Sequence, residues 1–137
     1  MIGDCIIFHK RSLLFIPLFG WHLFKLGMVI ITRNKGTNNL RKIISKTKEA
    51  ICKNRSILIF PHGTRTLPDS INKIQSGVVI LYKHLNIKVI PVKLNSGKYW
   101  GRNKFLKYPG KITVNFLKPI YPGLNPGEFR KKLEKIL

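Results

Sequence analysis

Ile57-Leu58-Ile59-Phe60-Pro61-His62-Gly63-Thr64-Arg65 is the stretch that decides how this chain folds. Four apolar residues in a row predict a short buried strand. Pro61 and Gly63 force a loop directly after it. A strand that ends in such a turn delivers polar groups to one edge of a sheet, and in open α/β sheets that edge is where ligands bind. Gly63 lets the backbone come close to a ligand. Thr64 offers a hydroxyl, and Arg65 offers a planar fork of donors suited to phosphate. Spacing alone does not separate this turn from an ordinary surface turn with a solvated arginine.

Upstream, Thr37 is a plausible N-cap for a helix whose apolar face carries Leu40, Ile43, Ile44, Thr47 and Ile51. Its other face carries Arg41, Lys42, Lys46, Lys48 and Lys53. Gly27-Met28-Val29-Ile30-Ile31-Thr32-Arg33 repeats the logic of the first stretch: an apolar strand over Met28 to Ile31, preceded by glycine and followed by arginine. Arg33 and Arg65 are thus two strand-end cations that one anion could bridge, since like charges held together otherwise repel. Arg33 also reads as the start of a basic loop with Lys35. Leu13 to Leu26 predicts an irregular helix around Pro17 and Gly20, with Gly27 ending it. The apolar run from Leu13 to Ile31 is too broken by Pro17, Gly20, His22, Lys25 and Gly27 to span a bilayer. Core packing is the favoured reading for it. An interfacial segment is the other, given Trp21 and several phenylalanines near Lys25. Ile6, Ile7 and Phe8 predict a further short strand.

Downstream, a helix is expected over about Ile74 to Leu85, with Ile74, Val78, Leu81 and Leu85 inward and Asn86 as its stop. Ile87 to Leu94 reads as a strand with Pro91 marking an edge or bulge, and Ile112, Val114 and Phe116 alternate as another. Asn125, Pro126 and Glu128 have the spacing of a capping box with proline at the first helical position, followed by an apolar stripe of Phe129, Leu133 and Ile136. Strands alternating with helices predict an α/β fold, a mixed sheet with flanking helices. At 137 residues the chain is expected to be a single domain, 1–137.

The balance of 26 Lys+Arg against 5 Asp+Glu, formally +21, points to an anionic partner: nucleic acid, an anionic lipid surface or a phosphorylated substrate. Abundant Lys, Ile and Asn also fit an AT-rich coding bias on a solvated surface. Nucleic-acid binding would need aromatic and basic residues interleaved on one face. Here the aromatics cluster in apolar runs, at Phe15 to Phe24 and Phe60, so no specific nucleic-acid partner is expected. Cys5 and Cys52 form no CxxC pair and have no clustered histidine, so neither a metal site nor a disulfide framework is expected.

Taken together, these segments resemble the sequence blocks of the glycerolipid acyltransferases, the 1-acylglycerol-3-phosphate acyltransferase family that makes phosphatidate from lysophosphatidate. Phe15-Ile16-Pro17 with Phe19-Gly20-Trp21 resembles the segment ahead of the family's second block. Gly27 through Arg33 resembles that second block, and Phe60 through Arg65 resembles the third, usually Phe-Pro-Glu-Gly-Thr-Arg. Val89-Ile90-Pro91-Val92 resembles the fourth. The resemblance runs from about Lys10 to the C-terminal helix. It implies acyl transfer from a thioester, on coenzyme A or acyl carrier protein, to lysophosphatidate, with no metal or redox cofactor. It further implies that Arg33, His62, Gly63, Thr64 and Arg65 form the substrate-phosphate site, and that the protein works peripherally on the cytoplasmic face of a membrane, against an anionic surface.

Two departures from the family pattern stand out. The family's general base lies in a His-x-x-x-x-Asp block, placed some tens of residues before the Pro-Phe-Gly-Trp segment. His9 is followed five positions on by Leu14, and His22 by Gly27, so neither qualifies. No catalytic residue is therefore assigned, and an N-terminally truncated, partial domain is expected; beside the family's acyl transfer, the alternatives are a catalytically dead remnant and a basic protein that binds anions or a membrane surface. The second departure is His62, where the family has glutamate. A neutral imidazole keeps one acceptor and gains a donor, and a protonated one would repel Arg65.

Overall fold

The structure, a computed structural model, describes residues 4–31, 37–63, 73–101 and 105–137. The chain divides into two compact units, Met1–Phe60 and Pro61–Leu137.

The first unit runs β1 (Cys5–Lys10), a 3-10 turn (Arg11–Phe15), α1 (Phe19–Lys25), β2 (Val29–Ile31), α2 (Thr37–Cys52) and β3 (Ser56–Leu58). Its sheet is parallel, with β1 between β2 and β3. Phe8, His9 and Lys10 lie opposite Val29, Ile30 and Ile31, while Cys5, Ile6 and Ile7 lie opposite Ser56, Ile57 and Leu58. Parallel neighbours need long crossovers, and here the α1 and α2 segments supply them. The central position of β1 explains why Ile6, Phe8 and His9 are buried, together with Val29 of β2. α2 turns Ile43, Thr47 and Ala50 inward, with Leu40, Ile44 and Ile51 half-buried at the margins of that face. Ala50 completes the expected stripe. Thr47 is wholly buried because its hydroxyl donates to the Ile43 carbonyl one turn earlier, at 2.6 Å, so no polar atom is left without a partner.

Two expectations fail in this unit. The strand expected over Ile57 to Phe60 covers Ser56–Leu58, and its side chains alternate between exposed and half-buried. β3 is an edge strand among the described residues, and Phe60 beyond it is exposed. Core packing of the Leu13–Ile31 run also fails over its first part. Phe15, Ile16, Leu18, Phe19, Trp21, Phe24 and Leu26 are all exposed, and only Gly20 is buried in α1. α1 has fewer than two full turns, and it is the backbone of Gly20 that packs against the Leu14 backbone. That contact points the bulky neighbours of Gly20 outward.

The second unit contains α3 (Ser76–Leu85), β4 (Val92–Leu94), a single turn of helix α4 (Ser96–Tyr99), β5 (Val114–Phe116) and α5 (Pro126–Ile136). β4 and β5 pair antiparallel, so the two kinds of pairing expected of a mixed architecture are divided between the units. The core packs Ile74, Val79, Tyr82, Ile120, Phe129 and Leu133. The rings of Tyr82 and Phe129 stack at 3.8 Å. Tyr82 is a buried position that its hydroxyl disguises in the sequence: the O–H donates to the Tyr121 carbonyl at 2.7 Å and accepts from the Leu124 N–H at 3.2 Å. Of the four inward positions expected in this region, Ile74 and Leu81 are buried and Val78 and Leu85 are half-buried; Ile74 lies just before the helix. Asn86 ends α3 in the left-handed region, φ 52°, a conformation asparagine tolerates. Pro91 interrupts the strand expected over Ile87 to Leu94. Val89 makes only an isolated bridge to Ile120, while the Pro91 carbonyl accepts from the Leu117 N–H at 2.9 Å. α5 opens with the expected reciprocal cap: the Asn125 side chain accepts from the Glu128 N–H, and the Glu128 carboxylate accepts from the Asn125 N–H.

Candidate functional site

β2 and β3 flank β1 in one parallel sheet, so their carboxyl ends emerge on the same edge. Two strand spacings, roughly 10 Å, separate the strands across the sheet, and β3 ends opposite Ile7 while β2 ends opposite Lys10. Each end leads into one of the two basic segments: Arg33 lies two residues beyond Ile31, and the Pro61-His62-Gly63 turn follows β3 after Ile59 and Phe60. Arg33, Thr64 and Arg65 themselves lie outside the described residues, as does the side chain of Thr37.

His62 and Gly63 are described. Gly63 has φ +65°, a conformation that L side chains resist, so glycine here serves the turn. Within the second unit the Pro61 carbonyl accepts from the Gln75 N–H at 3.0 Å. Gln75 is the residue from which α3 starts, in extended conformation, so the turn after β3 is tied at its base to the start of a helix. His62 is half-buried, and its Nδ1 is buried without a hydrogen-bond partner among the described residues. The remaining histidines stand apart from this turn in the sequence. His9 is buried on β1, Nδ1 of exposed His22 lies 2.8 Å from the Leu18 carbonyl, and His84 is exposed near the end of α3. None of the four is followed five positions on by aspartate.

One charged residue without any local sequence signal organises the first unit. Nε of Arg55 forms an ion pair with Asp4 Oδ2 at 2.8 Å, off the angle of a hydrogen bond. Its Nη2 donates to Asp4 Oδ1 at 3.2 Å, to the Cys5 carbonyl at 3.4 Å and to the Leu26 carbonyl at 2.9 Å. Leu26 is the C-cap of α1, so Arg55 neutralises a helix end while tying it to the starts of β1 and β3. Nothing in the local sequence signals this, because the partners lie 29 to 51 residues away. Gly27 follows at φ +64°. Its N–H donates to the Phe24 carbonyl and that of Met28 to the Leu23 carbonyl, the two bonds of a Schellman cap. That cap turns the chain from α1 into β2.

A cavity of about 280 Å³ lies in the first unit beside His9, Met28, Val29, Ala50 and Arg55. Glu49, also in that lining, pairs with Lys53 at 2.7 Å, and the hydrogen bond and charge of Lys53 hold its carboxyl below the usual carboxylate range. Among the described residues no group of three His, Cys, Asp or Glu is placed to hold a metal ion, and no helix is long and apolar enough to cross a membrane.

A sequence model of the acyltransferase family matches residues 2–95. A 1-acyl-sn-glycerol-3-phosphate acyltransferase of Pseudomonas aeruginosa is 35% identical over 105 residues, covering 77% of this chain and 41% of that protein. One from Helicobacter pylori is 25% identical, over 92% of this chain and 54% of that protein. The crystal structure of the 1-acyl-sn-glycerophosphate acyltransferase PlsC from Thermotoga maritima superposes with a TM-score of 0.70. It covers 96% of this chain and 53% of the other at 24% identity, a likeness of fold. The chain spans about half or less of the length of these relatives.

Proposed function

The chain belongs to the acyltransferase family, and we propose that it forms the phosphate-holding part of an enzyme that transfers an acyl group from a thioester to lysophosphatidate, giving phosphatidate. The observation that carries this reading is the parallel placement of β2 and β3 on either side of β1, with a basic segment following each carboxyl end. Arg33 and Arg65 hold the phosphate, each through charge-assisted hydrogen bonds. Gly63 keeps the turn open to close approach, and Thr64 adds a hydroxyl. The half-buried imidazole of His62 adds a donor where the family pattern has a carboxylate. The acyl donor is a thioester on coenzyme A or acyl carrier protein, and no metal or redox cofactor takes part.

The family match crosses from the first unit into the second, which supports one partial acyltransferase domain over 1–137. The substrate is an amphiphile, so the protein works at the cytoplasmic face of a membrane, held peripherally against anionic lipid and with no specific nucleic-acid partner.

Proton removal from the acceptor hydroxyl needs a base within hydrogen-bond reach. No histidine–aspartate pair of the family spacing occurs in this sequence, so phosphate recognition, rather than turnover, is the property to test. Lysophosphatidate should bind the purified chain, and monoacylglycerol, which lacks the phosphate, should bind far more weakly. Arg65→Ala and Arg33→Ala should each cost about 1.5–3 kcal/mol, the worth of a hydrogen bond to a charged group, read by titration calorimetry with circular dichroism confirming the fold. Equal binding of the two lipids, or indifference to both substitutions, overturns the reading. Acyl transfer measured on the same samples bears on His62: turnover that disappears in His62→Gln would make that imidazole the base.

A further inference from the structure

Of the eight large apolar side chains among the twelve residues from Phe15 to Leu26, seven are exposed and Leu23 is half-buried. Phe15 and Phe24 are 78% and 77% exposed, and the Trp21 indole is 57% exposed with the Lys25 ammonium 3.9 Å from its ring centre. An exposed patch of this kind marks a surface that meets something apolar. The short helix α1 does not bury its aromatics in the first unit's own core, because the packed side of that helix is the Gly20 backbone.

Charge decides what the patch meets. Residues 1–60 carry eleven Lys and Arg against two Asp and Glu, so a second copy of this chain would bring like charge against like. An anionic bilayer instead offers both halves of what the segment presents. Apolar rings enter the boundary between headgroups and acyl chains, and the cations beside them meet anionic headgroups. A lysine over a tryptophan suits that boundary, because the indole is amphipathic and the ammonium reaches outward to the wet side. The second unit carries the same chemistry independently. Trp100, Phe105, Leu106 and Tyr108 are exposed, and the Lys107 ammonium lies 4.2 Å from the Trp100 ring centre.

We propose that the Phe15–Leu26 segment is a membrane-docking surface that inserts its aromatic and aliphatic side chains into the interface of an anionic bilayer. The choice of a lipid partner rests on the membrane-lipid function proposed above, but docking is independent of the phosphate site, and its test uses vesicles without lysophosphatidate. Failure of one therefore leaves the other standing.

The chain contains two tryptophans, so Trp100→Phe leaves Trp21 as the sole reporter. Added to phosphatidylcholine vesicles containing about a third phosphatidylglycerol, enough to set an anionic surface potential, this variant should shift its emission to the blue. Lipids brominated high on the acyl chain should quench it. Pure phosphatidylcholine should give neither effect at low protein concentration. Phe15→Glu/Phe24→Glu, with every lysine and arginine retained, should lower the bound fraction at least tenfold. Should that double variant lose its circular dichroism signal, the quenching of Trp21 in the folded Trp100→Phe protein decides alone. Binding without quenching would mean electrostatic adsorption and overturns insertion, as would no binding at all. A blue shift without lipid that grows with protein concentration would assign the patch to a second copy and overturn it equally.

Discussion

A methyl group on Gly20 would collide with the Leu14 carbonyl and Cα, which gives Phe19-Gly20-Trp21 its physical meaning: only glycine allows α1 to lie against the 3-10 turn before it. Gly20→Ala should destabilise the chain by about 1–3 kcal/mol, the cost of overpacking a contact that must shift backbone, as measured by urea unfolding. Arg55 is the second residue whose role is definite. Its side chain is 17% exposed while that of Asp4 is 69% exposed, so the two partners are not equivalent. Arg55→Ala strips the Leu26 and Cys5 carbonyls of a charged donor and should cost about 1.5–3 kcal/mol. Asp4→Asn removes a largely solvated charge and should cost under about 1 kcal/mol. Equal losses would show that the ion pair, rather than the carbonyl contacts, is what Arg55 contributes. The sequence exposes Gly20 as unusual because glycine inside a helical run is costly. It hides Arg55 among the many basic residues of this chain, since partners 29 to 51 positions away leave no local pattern.

Among the elements, α5 was the most legible. Its cap, its proline and its stripe all act between Asn125 and Ile136, a range over which sequence alone dictates geometry. Asn125→Ala should lower stability by about 1 kcal/mol through loss of the cap, and Asn125→Asp should retain it, as thermal unfolding of the two variants would register. Phe129, wholly buried against Tyr82 in the same element, bears the larger load: Phe129→Ala should cost about 3–5 kcal/mol. The less legible elements are those whose burial depends on neighbours. β3 is apolar in sequence, yet at the sheet edge its side chains are exposed or half-buried. The strand expected through Pro91 is shortened because proline has no N–H for a ladder, although its carbonyl still joins the pairing.

Across the whole molecule the excess of positive charge sets the conditions under which any anionic ligand is held. Exposed charges are screened over about 10 Å at 0.1 M salt and about 3 Å at 1 M. Raising sodium chloride across that range should therefore weaken binding of lysophosphatidate or of anionic vesicles by roughly tenfold or more, while a neutral lipid should respond little. Salt-insensitive binding of the anionic ligands would argue that apolar contact alone holds them.

The sequence by itself determined the α/β class, the positions of most helices and strands, the glycine and asparagine stops, and the two basic segments that follow apolar strands. These rest on periodicity, capping and turn chemistry, which act over a few residues. The tertiary structure decided that β1 is the central strand, with β2 and β3 parallel to it on either side. It also decided that the Phe15–Leu26 run faces outward, against the expectation of a packed core. Hydrophobicity records only that a side chain would gain by leaving water. Which surface receives it depends on pairings between residues far apart in the chain, and those exist only once the sheet has formed.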